Sequence, residues 1–337
     1  MIRNGLYFHN AAELDEGALP GALQLQRYPR AARHALGERG RWVAEEATGC
    51  ELRFATDAEH VRVTIFSEAG GDIAVYKGGL QHSLHRAEAG VVKTLHLERP
   101  ARMDAVDRGR LLASGFAPEV WRVVFGRLPV ALLRVHTFGR EVRPPRADEM
   151  PTLRWLAYGS SITHGHGAYP HSYIDHAARR LGVDVLNKGL SGSCWCEKEA
   201  IDFIASCDDW DFATLELGVN MRERFEPETF ERRARYAFER LRARHPKKPL
   251  FALTVFPNFA TEAESVSGAR ERAFNDIVRR EVDRLGDERL ALIEGGDIAA
   301  DLGDLTCDLI HPGTYGNVRM GERLAERIGR TLGRAML

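Results

Sequence analysis

The sequence has few cysteines, no long apolar run and no excess of charge of either sign. Its five cysteines are too few and too irregularly spaced for a disulfide scaffold, and none has the paired spacing of a zinc site. Lys and Arg (47) balance Asp and Glu (48), and the resulting net charge of −1 argues against a nucleic-acid partner. No signal-peptide core and no apolar run of membrane-spanning length is found. We therefore expect a cytoplasmic protein with reduced thiols and no membrane partner.

The length and the periodicity of the chain predict two domains. At 337 residues the chain exceeds the roughly 250 to 300 residues at which a single core stops growing. In the first half, short β-rich segments follow one another without helices, which predicts an all-β sandwich or jelly roll. The strands predicted there are 51–55, 61–66, 73–77, 120–125 and 131–138. Pro144-Pro145 and the charged residues after them interrupt this pattern. We therefore predict domains over residues 1–148 and 149–337.

In the second half, apolar strands alternate with amphipathic helices. This rhythm predicts an α/β domain whose parallel sheet is covered on both faces. A capping box at Ser172 and Asp175 predicts the start of one helix, and Pro227 is placed as the first residue of another. The predicted strands are 153–158, 183–186, 212–217, 250–256 and 290–293.

Blocks of polar residues follow four of the predicted strands. They therefore lie at the edge where an open parallel sheet binds its ligands. They supply a hydroxyl, backbone donors, an amide and an Asp/His pair, which are the groups that acyl transfer requires. The four blocks are Gly159-Ser160-Ser161-Ile162-Thr163, Asn187-Lys188-Gly189-Leu190-Ser191-Gly192, Gly218-Val219-Asn220 and Asp308-Leu309-Ile310-His311.

In this order, the four blocks resemble the SGNH (GDSL-type) hydrolase family from residue 153 to the C-terminus. The resemblance implies a flavodoxin-like α/β domain with no cofactor and no metal. It places the nucleophile at Ser161 and its activating pair at Asp308 and His311. It also implies that the oxyanion is held by the amides of Ser161 and Gly192 and by the side chain of Asn220.

The sequence departs from the family pattern at two positions. Ser160 stands where the family usually has aspartate before the nucleophile, and Met221 follows Asn220 where many members have aspartate. Neither change removes a proton-transfer group or an oxyanion donor. Glu216 is an alternative carboxylate for orienting the histidine, although a carboxylate inside an apolar strand is more simply explained by a structural ion pair.

Two further features have competing interpretations. The histidines at 164, 166, 171 and 176 suggest a metal site of the amidohydrolase type, but that barrel needs about 250 residues, more than follow Pro151. We therefore expect His164 to line the pocket entrance instead. Trp195 either offers a flat wall to a sugar or acyl group or fills the core.

Together these features predict a serine esterase that acts on small-molecule or oligosaccharide esters. An N-terminal jelly roll before such a domain resembles two-domain carbohydrate esterases, which favours acetyl groups on carbohydrate as the substrate. Two alternatives stay open: a lysophospholipase-like lipid or thioester acylhydrolase, and a carbohydrate-binding protein without catalysis. The sequence does not indicate an oligomeric state.

Overall fold

The computed structural model describes residues 1–113, 115–168, 170–334 and 336. Within them the chain forms two antiparallel sheets followed by one parallel sheet. The strands are β1 (Ile2–Arg3), β2 (Leu6–His9), β3 (Glu13–Glu16), β4 (Leu23–Gln26), β5 (Glu51–Ala55), β6 (His60–Ser67), β7 (Gly71–Lys77), β8 (Leu80–Ala87), β9 (Val91–Glu98), β10 (Val120–Phe125), β11 (Ala131–His136), β12 (Arg154–Tyr158), β13 (Asp184–Asn187), β14 (Phe212–Glu216), β15 (Leu250–Leu253) and β16 (Leu290–Ile293). The α-helices are α1 (Arg30–Ala35), α2 (Glu38–Ala44), α3 (Arg108–Leu112), α4 (Ser161–His164), α5 (Tyr173–Leu181), α6 (Lys198–Ser206), α7 (Pro227–Arg244), α8 (Phe259–Glu262), α9 (Val266–Leu285), α10 (Gly295–Ile298) and α11 (Thr314–Leu332).

The first two sheets form a β-sandwich, as predicted. Their strand orders are β1-β2-β5-β10-β7-β8 and β3-β4-β11-β6-β9. In β6, Val61, Val63 and Ile65 are buried and Arg62 is exposed, so alternate side chains face the sandwich core. Trp121 of the opposite sheet belongs to the same core. The apolar residues of both sheets therefore share one interior.

The parallel sheet has the order β13-β12-β14-β15-β16 and carries helices on both faces. Leu156 and Tyr158 of β12 pack in the core that α6, α7 and α9 cover, whereas Trp155 and Ala157 pack in the core under α5 and α11. Because both faces are buried, the strand is apolar from Trp155 to Tyr158. This arrangement is the flavodoxin-like fold that the sequence predicted.

Two buried arginines of the sandwich hold the two ends of β13. Arg53 donates to both carboxylate oxygens of Asp184, at 2.6 and 2.7 Å. Arg27 donates to the carbonyl oxygens of Asn187 (3.2 Å) and Gly189 (2.9 Å). Both guanidinium groups are fully buried. The sandwich is thus attached to the strand that leads into the Asn187–Gly192 loop.

The sequence missed six of the sixteen described strands. Strands 51–55, 120–125 and 290–293 were predicted to the residue, whereas β1 to β4, β8 and β9 were not predicted. The missed strands are short or carry many polar side chains, as in Glu13–Glu16 and Leu80–Ala87, so their alternation is weak. The capping box at Ser172 and the first helical residue Pro227 are confirmed.

The domain division at residue 148 stays a prediction. Ala147–Glu149 forms a single 3₁₀ turn between the last sandwich strand and β12. Across the described residues, none of the helices has the combination of length and apolarity that a membrane crossing requires.

Candidate active site

The turn from β12 into α4 holds Ser161 at the carboxyl edge of the parallel sheet. Ser160 caps the helix, because its Oγ accepts a hydrogen bond from the Ile162 amide at 3.2 Å. Gly159 precedes it in a crowded position, where an added Cβ would lie 2.3 Å from Thr163 Oγ1. Only glycine fits there, so the close packing of this turn fixes the direction of the Ser161 side chain.

Ser161, His311 and Asp308 form a continuous hydrogen-bonded chain. Ser161 Oγ lies 2.7 Å from His311 Nε2, and His311 Nδ1 lies 2.7 Å from Asp308 Oδ2. With the ring proton assigned to Nδ1, the imidazole donates to the carboxylate and Nε2 accepts from the serine hydroxyl. This arrangement lets the histidine take the serine proton.

A tight loop fixes the Asp308 carboxylate. Its Oδ1 accepts hydrogen bonds from the amides of Ile310 (2.9 Å) and His311 (3.0 Å) and from Thr306 Oγ1 (2.8 Å). Although partial burial opposes ionisation, these hydrogen bonds and the His311 ring hold the pKa of Asp308 well below its ordinary value. Leu309 adopts a left-handed conformation (φ 56°) inside the loop, which is unusual for a residue with a branched side chain. The carboxylate is therefore ionised at neutral pH, and its position is fixed by the backbone.

The three groups expected to hold an oxyanion are available as donors. Asn220 uses its side-chain oxygen to accept from the Cys194 amide at 3.2 Å, which leaves its NH₂ group to donate elsewhere. Among the described residues, neither that NH₂ group nor the amides of Ser161 and Gly192 has an acceptor. Gly192 has φ 70° and is exposed, so its conformation suits glycine. Free donors at this edge of the sheet are what a developing oxyanion requires.

Glu216 bonds to the turn that carries Ser161 and does not form the expected ion pair. Its Oε2 accepts from the Ser160 amide (2.6 Å) and from Thr163 Oγ1 (3.2 Å). No cation lies within ion-pair distance of it in the described part of the chain, and Oε1 has no partner. Burial raises the pKa of Glu216 to about 7. The expectation of an ion pair is wrong because the groups that bond to this carboxyl group are neutral donors and not a cation.

The structure also corrects the role expected for His164. This side chain is fully buried, and its Nε2 lies 2.9 Å from a guanidinium nitrogen of Arg27. Burial, with Arg27 beside it, lowers the pKa of His164 well below its ordinary value. His164 therefore joins the sandwich to the end of α4 and does not line the entrance.

Trp195 is half-buried behind the Gly192 loop. Its ring packs beside Gly37 of the sandwich, where an added Cβ would lie 3.2 Å away, and its centroid lies 5.9 Å from that of Phe225. Trp195 packs against the core and is partly exposed to solvent. Its environment therefore fits in part the role of a core residue and in part that of a wall facing a substrate. Its contact with a substrate stays a prediction.

The sandwich contributes two arginines that the sequence reasoning missed. Arg39, in α2, places its Nε 3.3 Å from the Ser191 carbonyl oxygen and lies close to Gly192. Its guanidinium stacks 4.8 Å above the centre of the Trp42 ring. No sequence signal identified it, because the strand-end rule that found the other residues applies only to the parallel sheet.

Arg127 and His166 lie on the other side of His311. The His166 ring lies 4.3 Å from the His311 ring, and its Nδ1 contacts the Arg127 guanidinium. Potential ligand atoms of His166, Asp308 and His311 lie within 4.8 Å of one another, but the last two already bond to each other. Of the four histidines considered for a metal, His166 is thus the one beside His311, and the absence of a catalytic metal stays a prediction.

Comparisons with known proteins agree with this fold. A model of the GDSL-like lipase/acylhydrolase family matches residues 154–329. No curated protein matches the sequence. Several solved structures cover almost the whole chain at low identity.

The salicylyl-acyltransferase SsfX3 from a tetracycline biosynthetic pathway has a TM-score of 0.79 at 18% identity, covering 98% of this chain and 95% of its own. A family two carbohydrate esterase from Clostridium thermocellum, in complex with cellohexaose, has a TM-score of 0.64 at 16% identity, covering 98% and 99%. An acetyl xylan esterase from Butyrivibrio proteoclasticus has a TM-score of 0.58 at 11% identity, covering 99% and 97%. Their likeness shows that the sandwich and the α/β domain recur together in this arrangement.

Proposed function

Because this chain belongs to the GDSL-like lipase/acylhydrolase family, we propose that it is a serine esterase using Ser161, His311 and Asp308. The observation that carries the proposal is the pair of 2.7 Å contacts joining Ser161 Oγ to His311 and His311 to Asp308. A serine hydroxyl is a weak nucleophile until a base removes its proton, and this geometry supplies the base and orients it.

In the first half of the reaction, His311 Nε2 takes the hydroxyl proton as Ser161 Oγ attacks the ester carbonyl carbon. The carbonyl π electrons move onto oxygen, and the amides of Ser161 and Gly192 and the Asn220 NH₂ group bind the resulting oxyanion. When the intermediate collapses, the bond to the alcohol oxygen breaks and His311 gives its proton to that oxygen. The acyl group is left on Ser161.

In the second half, a water molecule replaces the alcohol. His311 takes a proton from the water as its oxygen attacks the acyl carbon, and the same donors hold the second oxyanion. Collapse breaks the bond to Ser161 Oγ, which recovers a proton from His311. Asp308 stays ionised throughout and stabilises the imidazolium that forms in each half.

For the substrate, we propose small acyl groups, with acetyl on carbohydrate as the first choice. The support is the fold shared over nearly the full chain with proteins described as carbohydrate esterases, one of them crystallised with an oligosaccharide. A lipid or thioester acylhydrolase is the alternative to test. Comparing hydrolysis of p-nitrophenyl acetate and p-nitrophenyl octanoate separates them, because a preference for the longer chain would contradict the choice of acetyl.

The nucleophile is tested by labelling the full chain with a fluorophosphonate and mapping the modified residue by mass spectrometry. We expect the label on Ser161 alone, and Ser161→Ala should lower kcat on p-nitrophenyl acetate by at least about 10³-fold. Ser160→Ala is the matched control, because it removes the neighbouring hydroxyl and should keep the label. Labelling of Ser160, or full activity in Ser161→Ala, would refute the proposed nucleophile. Full-length protein with neither labelling nor esterase activity would instead favour a carbohydrate-binding protein.

A further inference from the structure

A second cleft, of about 860 Å³, lies in the sandwich away from Ser161. Glu119, just before β10, lines it, whereas the far end of β10 leads to Arg127, which contacts His166 beside the catalytic histidine. A six-residue strand spans roughly 20 Å, so the cleft and the catalytic serine are at opposite ends of the sandwich. The cleft is therefore separate from the site described above.

Lys77 lies at the base of this cleft with its charge only partly compensated. The side chain is 4% exposed, and its Nζ donates to the Glu119 carbonyl oxygen at 2.9 Å. The ammonium also lies 4.6 Å from the centre of the Trp121 ring. An ammonium has three donors, and among the described residues no carboxylate lies within ion-pair distance of this one.

Lys77 differs in this respect from the other cations of the cleft. The guanidinium groups of Arg99, Arg108, Arg140 and Arg143 line the cleft, and each has a carboxylate partner. Those four groups are also far more exposed to water than Lys77. An ammonium that is buried without a counter-ion is costly, and burial lowers the pKa of Lys77 to about 7.

The same cleft offers an apolar surface next to that charge. Met103, Val106 and Leu111 line it, together with Pro100 and Pro118. An anion bound at Lys77 would supply the missing counter-charge, and an apolar group attached to it would cover this surface. A simple inorganic anion would satisfy only the first requirement.

We propose that this cleft binds a small organic anion, with its charged group against Lys77 and its apolar body against Met103, Val106 and Leu111. The site is separate from the esterase chemistry, so the chain has one site for reaction and another for recognition. The Trp121 ring and the Glu119 carbonyl hold the ammonium in place, and the two remaining donors of Lys77 bind the anionic oxygens.

The test is a fluorescence titration of the full chain with anilinonaphthalene sulfonate, an aromatic anion. We expect saturable binding of one equivalent, weakened at least about tenfold in Lys77→Met, because the variant removes the charged hydrogen-bond donor that holds the anion. Lys247→Met removes an exposed lysine and should bind as the wild type does. Equal affinity in Lys77→Met would overturn the proposal.

Two further measurements separate this site from the esterase and from misfolding. Modification of Ser161 by a fluorophosphonate should leave the titration unchanged, whereas loss of binding would place the anion in the catalytic pocket. Acetic anhydride footprinting of the wild-type protein should show Lys77 protected by anilinonaphthalene sulfonate, with no variant needed. A Lys77 that reacts equally with and without the anion would refute the site even if Lys77→Met did not fold.

Discussion

Two regions of this protein contain buried carboxyl groups, and their pKa values are shifted in opposite directions. At the junction with β13, Glu51 and Asp184 bind Arg53, and Glu51 also binds Arg122. Although burial opposes ionisation, Arg122 and Arg53 hold the pKa of Glu51 well below its ordinary value. Under the nucleophile turn, Glu216 has only neutral donors, and burial raises its pKa to about 7.

The difference shows that burial alone does not decide the charge of a carboxyl group. Where arginines face the carboxylates, the charges persist and attach one domain to the other. Where amide and hydroxyl groups face the carboxyl group, as at Glu216, its pKa lies near neutral pH. This carboxyl group bonds to the Ser160 amide, next to Ser161. The carboxyl groups beside Arg53 therefore stay ionised at neutral pH, whereas Glu216 is easily protonated.

The largest expected effect comes from removing the arginine of the first region. Arg53→Met leaves the buried Asp184 carboxylate without its main counter-ion and Glu51 with Arg122 alone, so we expect a loss of about 3 to 5 kcal/mol in the free energy of unfolding. Urea denaturation at pH 7 measures it. Arg244→Met breaks an exposed pair with Asp208 and should cost less than about 1 kcal/mol. Similar losses in both variants would show that the buried ion pairs of Arg53 contribute no more to the free energy of unfolding than an exposed pair does.

The second prediction concerns the pH dependence at Glu216. Because its pKa rises from 4.5 to about 7 on folding, ionisation costs more in the folded state than in the unfolded state. Its contribution to stability is therefore fully present below pH 4.5 and is lost as the pH rises through about 7, by about 3 kcal/mol. Glu216→Gln keeps an acceptor for Ser160 and Thr163 and should remove this loss.

Denaturation of wild type and Glu216→Gln from pH 5 to pH 8.5 tests this directly. We expect the variant to gain stability relative to wild type as the pH rises. A difference between the two proteins that does not change with pH would mean that Glu216 does not titrate in this range.

The smallest expected effect is at Thr163, which donates to Glu216 and also bonds the Tyr173 hydroxyl at 2.7 Å. Thr163→Val removes a donor that favours the ionised carboxyl group, so the pKa of Glu216 should rise further above 7. The lost hydrogen bonds should cost about 1 to 2 kcal/mol. Denaturation across the same pH range measures both changes, with the exposed Thr331→Val as a control. An unchanged pH profile would exclude Thr163 from this network.

The sequence predicted best where one local pattern determines the structure. The alternation in β6, the apolar strand β12 and the capping box at Ser172 depend on neighbouring residues, and all were recognised. The rule that carboxyl ends of parallel strands share one edge selected the blocks of Ser161 and His311, and the family resemblance assigned these two residues. Their side chains lie within hydrogen-bond distance.

What the sequence could not predict depends on contacts between distant segments. His164 was expected at the entrance but is buried, because Arg27, 137 positions away, lies against it. Arg39 reaches Ser191 over a separation of 152 positions, so no local pattern marks it. The neutral partners of Glu216 come from the N-cap of α4 and from α4 itself, and only the folded turn brings them to this carboxyl group.

Arg27 binds main-chain oxygens of Asn187 and Gly189, so the two halves of the chain contribute differently to this contact. The sandwich contributes a side chain, and the α/β half contributes backbone. A main-chain carbonyl is present whatever the side chain, so a substitution at position 187 keeps this acceptor, whereas a change at position 27 removes every donor at once. In a chimera that takes the sandwich from one relative and the α/β half from another, compatibility at this contact would be decided by the sandwich, through the residue that it presents at position 27.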